Sequence, residues 1–248
     1  ERRFLIGLRQ RKVRDLPMTR SLTAIMTTTV TPSMASLIAA ILMFLPVVWA
    51  QAARADGRPG DFDFYVLSLS WSPTYCLVQG DRASRAQCAS EKPKAFIVHG
   101  LWPQYTRGYP EYCRTGEPRR VPRSLINTML DIMPSAGLIG SQWRKHGSCT
   151  GLDQSEYLAK TRKAYERIDI PDGFEDASRR QVLSARNVEQ AFIAANPGLA
   201  ANGIAVSCKQ GRVSEVRICL TRGLEFRRCE NVDRNGCRAS RLLMPSGR

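Results

Sequence analysis

The sequence predicts an α+β protein in which a mainly antiparallel central sheet is flanked by helices and stapled by disulfides within a single domain. Three observations predict it. Aromatic and β-branched segments stand near the start (61–71 and 95–98) and near the end (204–228), with amphipathic helical patterns between them. Strands first, helices in the middle and strands last is the order of an α+β chain rather than of alternating βα units. The first segment, DFDFYVLSLSW, is apolar on both faces, as a central strand covered on both sides should be. All eight cysteines lie after residue 75, and an even number behind an export signal reads as four disulfides in an oxidising compartment.

At 248 residues with 43% hydrophobic content and ordinary glycine and proline counts, the chain is long enough for a sizeable core, which excludes global disorder. Its formal charge is +15. Residues 1–55 hold eight Lys/Arg against two acidic residues, which leaves 29 basic and 20 acidic residues in the remainder, or +9. That excess favours a polyanionic partner, although charge alone serves solubility equally well.

Residues 35–50 (ASLIAAILMFLPVVWA) form a 16-residue apolar run with basic residues upstream and small residues after it. This is the layout of a signal peptide, with cleavage after Ala55, Ala50 or Ala52 and with Met18 or Met34 as alternative starts. An uncleaved membrane anchor is the competing reading of the same run. Residues 1–55 are thus expected to be a signal peptide with an upstream extension, and 56–248 the mature domain. Such a product would be periplasmic or secreted, monomeric, and without stable membrane association once cleaved.

Within 56–248, the strand of 61–71 is expected to end in a turn at Ser72-Pro73-Thr74-Tyr75-Cys76, and a polar loop runs on through Cys88. Residues 95–98 form a second strand, after which Gly100 bends the chain, so that His99 stands at a strand end. The Tyr, Gly, Pro and Arg of 104–121 read as an exposed loop. Pro122 and Ser124 open a helix with Leu125, Met129 and Ile132 on one face, stopped by Pro134. Leu138 and Ile139 lead into the second histidine stretch, 142–149, which is expected to be another helix packed on the sheet. Asp153 or Ser155 caps the next, with Leu158, Ala164, Tyr165 and Ile168 apolar, and Ser184 starts one carrying Val188, Ala191, Phe192 and Ala195. Ile204 to Cys208 and Val213 to Leu220 read as a hairpin around 209–212, with a further strand at 224–228.

Only two histidines exist, His99 and His146, and Lys145 precedes the second. Imidazole both donates and accepts protons near neutrality, so two of them make a minimal acid–base pair. Cleavage of RNA through its own 2′-hydroxyl needs a base, an acid and a cation on the phosphoryl oxygens. The adjacent Lys145 disfavours a second positive charge on His146, which makes His146 the candidate base and His99 the acid. Trp102 offers a face for base stacking, though it serves equally well as core. Metal binding is the weaker reading, since no C-x-x-C pair exists and the only close His/Cys spacing is His146 with Cys149.

HGLWP at 99–103 and KHGSC at 145–149 resemble the two active-site signatures of the T2 family of ribonucleases, secreted RNA endonucleases of α+β fold. FDFYVLSLSWSPTYC before the first, LDIMPSAGLI before the second and AFIAANPGL after it extend the resemblance over most of 61–220. The resemblance implies that His99 is the general acid, His146 the base and Lys145 the cation that stabilises the phosphorane-like state. It implies that Trp102 helps form a base pocket, and that RNA is cut through a 2′,3′-cyclic phosphate with no metal or other cofactor; base preference is expected to depend on how Trp102, Gln104 and the tyrosines of the 105–112 loop are arranged. Members usually carry His-Glu-Trp where this chain reads Ser141-Gln142-Trp143. Gln142 still hydrogen-bonds phosphate or a catalytic side chain but carries no charge, and Ser141 keeps only a hydroxyl for the substrate. An active enzyme is expected, with reduced rate or altered pH optimum. A non-catalytic RNA-binding or signalling protein on the same scaffold is the alternative, and cleavage of DNA is disfavoured because the chemistry borrows the ribose hydroxyl. The resemblance also implies the pairings Cys76–Cys88, Cys113–Cys149, Cys208–Cys237 and Cys219–Cys229, which spacing alone would not choose.

Overall fold

A computed structural model describes residues 57–89 and 94–247. The expected signal segment of 1–55 lies outside them. Among the described residues no helix is long and apolar enough to cross a membrane.

The first strand, β1 (Phe64–Trp71), is buried along nearly its whole length and pairs antiparallel with β2 (Phe96–Gln104) on one side and β5 (Arg212–Leu220) on the other. It is the central strand its two apolar faces predict. Antiparallel β4 (Ile204–Lys209) completes the expected hairpin with β5. Two three-residue strands extend the sheet, β3 (Gln181–Leu183) and β6 (Leu242–Met244), in the order β2-β1-β5-β6-β3. The β5–β6 pairing is parallel, so the sheet is mixed rather than antiparallel throughout.

Three local expectations need correction. Ser72-Pro73-Thr74-Tyr75-Cys76 opens the helix α1 (Ser72–Gln79) instead of a turn, because proline in a first helical turn loses no hydrogen bond. The short helix α2 (Arg85–Cys88) follows, and the Cys76–Cys88 disulfide joins the two. Gly100 does not end the second strand. β2 continues through it to Gln104, and residues 224–228 form a loop touching the sheet at one bridge, Leu220 to Phe226.

The helices follow their sequence signals more closely. Pro122 precedes α3 (Arg123–Asn127), shorter than its pattern suggests, with Met129 and Ile132 buried in the turns beyond it. Ser135 caps α4 (Ala136–Lys145) by accepting from the Leu138 amide. Asp153 and Glu156 form a reciprocal capping box on α5 (Gln154–Glu166), and Ser184 with Asn187 does the same for α6 (Ala185–Ala195). The last helix is α7 (Glu230–Arg234). Trp71, Phe96, Phe174 and Phe192 meet edge-to-face or stacked between the sheet and α6. The four disulfides pair as the resemblance implies.

Cys113–Cys149 and a backbone bond from the Tyr112 amide to the Lys145 carbonyl tie the 105–121 loop to the end of α4. The Trp143 indole donates to the Pro118 carbonyl, and the Tyr157 hydroxyl to the Leu101 carbonyl of β2. Between Trp143 and Tyr157 there is room only for a glycine. A Cβ on Gly147 would sit 2.5 Å from the Trp143 ring and 2.8 Å from the Tyr157 ring. Gly147→Ala is therefore expected to lower unfolding free energy by about 1–3 kcal/mol through overpacking, measured by urea denaturation, whereas Gly116→Ala, which meets nothing within 4 Å, changes it little.

Candidate active site

His99 sits inside β2 rather than at its end. Ser68 faces Gly100 and Leu69 faces Val98, so His99 is the extra residue of a β-bulge. A bulge re-aims one side chain while the ladder on either side stays paired. Gly100 completes the device, because a Cβ there would collide with the Gln142 side chain and lie 2.6 Å from the Trp102 indole nitrogen.

From β5, the Glu215 carboxylate accepts a hydrogen bond from His99 Nδ1 at 2.6 Å, and its second oxygen accepts from Arg217 at 2.7 and 3.0 Å. Burial alone would raise the pKa of Glu215. The hydrogen bond and charge of His99, with Arg217, outweigh burial and bring it down to about 2. Glu215 is thus ionised at neutral pH, fixes the His99 tautomer and leaves Nε2 as the nitrogen that can exchange a proton.

His146 follows the last turn of α4 and donates its backbone N–H to the Gln142 carbonyl. Its ring is buried, and among the described residues Nδ1 has no hydrogen-bond partner. Burial first, then the charges of Lys145 and His99, push its pKa down to about 3. His146 is therefore neutral across the physiological range. The two imidazoles differ sharply, one gripped by a carboxylate and one unheld.

Trp102 stands between them. Its ring stacks on His146 at 5.2 Å and meets His99 edge-on at 5.3 Å, while its Nε1–H donates to Gln142 Oε1 at 2.7 Å. An amide oxygen is an acceptor of this bond that brings no charge. Lys145 lies at the rim, 3.4 Å from Glu111 and over the exposed Tyr109 ring, which itself lies 6.1 Å from His146. Gln104 lines the same cleft and donates to the Pro103 carbonyl. Ser141 lies elsewhere, in an adjoining cavity of about 540 Å³ on the other side of His99 with Arg82 and Lys209. The cleft of His99, Trp102, Gln142, Lys145, His146, Glu215 and Arg217 encloses about 390 Å³.

Tyr109 is one of the loop tyrosines that the sequence offers for the base site, whereas Glu215 and Arg217 belong to no motif there. Glu215 and Arg217 alternate with Val216 and Ile218, two charges spaced i, i+2 on the strand face that also carries Val213 and Cys219, and that pattern is the available signal. Among the described residues no group of three metal-ligating side chains occurs.

Fold and site together define a disulfide-stapled α+β protein with an imidazole pair and a lysine in one arginine-lined cleft. The chain belongs to the ribonuclease T2 family, whose model matches residues 62–229. It is 38% identical over 115 residues to a ribonuclease of Aeromonas hydrophila, covering 46% of this chain and 50% of that one. Ribonuclease DdI of Dictyostelium discoideum is 26% identical over 234 residues, covering 82% and 96%. The chain spans about half the length of its bacterial relatives from Aeromonas and Haemophilus influenzae. The fold is shared with trichomaglin, an S-like ribonuclease (TM-score 0.60, 22% identity, 75% of this chain and 98% of that one), and with an RNase-related protein from Calystegia sepium (0.58, 19%, 75% and 98%).

The lowered pKa of His146 makes a thermodynamic prediction. Between about pH 6.5 and about 3 the unfolded chain holds a proton there that the folded protein does not, so stability falls as pH falls through that window. Glu215 acts in the same direction, its contribution being present above about 4.5 and lost as pH falls towards about 2. Urea denaturation at pH 4 and 7 is expected to show a drop in stability that is smaller in His146→Phe; an equal drop in both proteins would contradict it.

Proposed function

We propose that this chain is a metal-independent endoribonuclease that cuts single-stranded RNA through a 2′,3′-cyclic phosphate to 3′-phosphate ends. The observation that carries the reading is the meeting of His99, Lys145 and His146 in one cleft of a ribonuclease T2 fold, with opposite environments for the two imidazoles.

In the first step neutral His146 takes the 2′-hydroxyl proton as O2′ attacks phosphorus. The P–O5′ bond breaks, and His99 Nε2 gives its proton to the departing O5′. Glu215 keeps the Nδ1 proton in place and compensates the positive ring before transfer. Lys145 offsets charge on the non-bridging oxygens. In the second step the roles reverse: His99 accepts a proton from water as that water attacks phosphorus of the cyclic phosphate, the P–O2′ bond breaks, and His146 returns its proton to the departing O2′.

Gln142 acts by holding the Trp102 indole between the imidazoles. Trp102, Gln104 and exposed Tyr109 form the base site, and Ser141 belongs to the cavity that receives the leaving nucleoside. The mature domain, residues 56–248, acts in the periplasm or outside the cell as a monomer without stable membrane association. The four disulfides of the described residues suit an oxidising compartment.

RNA incubated with the mature protein in a chelator should yield fragments ending in cyclic phosphate and then in 3′-phosphate. Intact RNA held with salt-sensitive affinity would instead support the non-catalytic binder. His146→Phe should abolish cleavage. Glu215→Ala should lower kcat by roughly 10–100-fold, a part of what a general acid supplies, with KM little changed, and should also lower the melting temperature because His99 and Arg217 lose their buried acceptor. Equal kcat for Glu215→Ala and wild type would remove Glu215 from the mechanism.

A further inference from the structure

Three cavities lie end to end across one face of the sheet. The 540 Å³ cavity and the 390 Å³ cleft share His99 and Glu215. The cleft in turn shares Asn231 with a third hollow of about 290 Å³, lined by Phe64, Thr106, Arg107, Arg227, Glu230 and Arg234. We infer that this third hollow is a phosphate-binding groove for the RNA strand on the 5′ side of the cut.

Charge and rigidity support it. Arg107, Arg227 and Arg234 are not ion-paired among the described residues, and Arg107 and Arg234 are exposed. Glu230 is the one acidic lining residue, and it accepts a hydrogen bond from Asn202. Asp63 lies near Arg227, but one of its carboxylate oxygens accepts from both the amide and the hydroxyl of Thr106. Arg227 is held against the Phe64 ring at 4.3 Å and donates to the Arg228 carbonyl. Arg107 sits in a tight turn closed by the Tyr105 amide and the Gly108 carbonyl. The Cys219–Cys229 disulfide pins the 221–228 loop and the start of α7 to β5. Three guanidiniums on fixed supports around a small hollow match a phosphodiester, which arginine grips through paired N–H groups.

Direction follows from the histidines and rests on the roles proposed above. His99, the donor to O5′, borders both the cleft and the 540 Å³ cavity, whereas His146, which serves O2′, borders the cleft alone. The nucleotide bearing the attacking hydroxyl therefore lies in the cleft. Its own 5′-phosphate points away from the leaving side, towards Asn231 and the arginines.

The test is binding of a dinucleotide with a 2′-deoxy residue at the cleavage position, with and without a 5′-phosphate, by calorimetry at several salt concentrations. In wild type the 5′-phosphate should tighten binding about tenfold and steepen the salt dependence of log K by about 0.7. In the triple variant Arg107→Ala/Arg227→Ala/Arg234→Ala both effects should vanish. The exposed single variants Arg107→Ala and Arg234→Ala should each lose part of them, which covers a folding defect at Arg227. Equal affinity with and without the phosphate in wild type, or an undiminished difference in the variants, overturns the groove. Failure of wild type to cleave the all-ribo dinucleotide would sink the ribonuclease reading instead, and the two results are read separately.

Discussion

The 2.6 Å hydrogen bond between His99 and Glu215 is the contact on which the cleft depends. It joins β2 to β5 although β1 runs between them, and it requires His99 to leave the regular ladder. The bulge at His99, the bare Cα of Gly100 and the buried carboxylate on the third strand form one device. Each would be a cost alone: an interrupted ladder, a flexible residue in a strand, a buried charge. Together they aim one imidazole and leave the charge fully partnered, since Arg217 takes the second oxygen.

The second imidazole is made differently. α4 delivers His146 through a capped start at Ser135, a buried face of Ile139 and Trp143, and a disulfide just beyond the helix. Burial, not a partner, keeps it neutral, and the neighbouring Lys145 reinforces that. Gln142 is compatible with this arrangement because its task is to accept the Trp102 N–H, and an uncharged amide does so without placing an anion beside His146. The carboxylate of the site comes from the sheet, at Glu215, rather than from α4.

Much of this was legible in the sequence where the signals are local. Apolar residues on both faces marked β1 as central, and Asp153 and Ser184 marked two helix starts. The two motifs named His99, Lys145 and His146, and they do share a cleft. Pro73 misled, because a proline after a strand suits a first helical turn as well as it suits a reverse turn. β3 and β6 escaped notice because three-residue strands have no periodicity to detect, and 224–228 has strand composition but only one bridge. Glu215 lies 116 residues from His99, so no window of sequence joins them. The absence of a charged neighbour in sequence concealed the nearest charge in space.

The central claim is the electrostatic inequality of the two imidazoles, and a chain with only two histidines makes it directly observable. In ¹⁵N-labelled protein, the imidazole nitrogens should show His146 neutral from pH 7 down towards about pH 3, while His99 keeps a proton on Nδ1 hydrogen-bonded to Glu215. A His146 that titrates near its ordinary value of 6.5, or a His99 whose Nδ1 signal is unchanged by Glu215→Gln, would contradict the account.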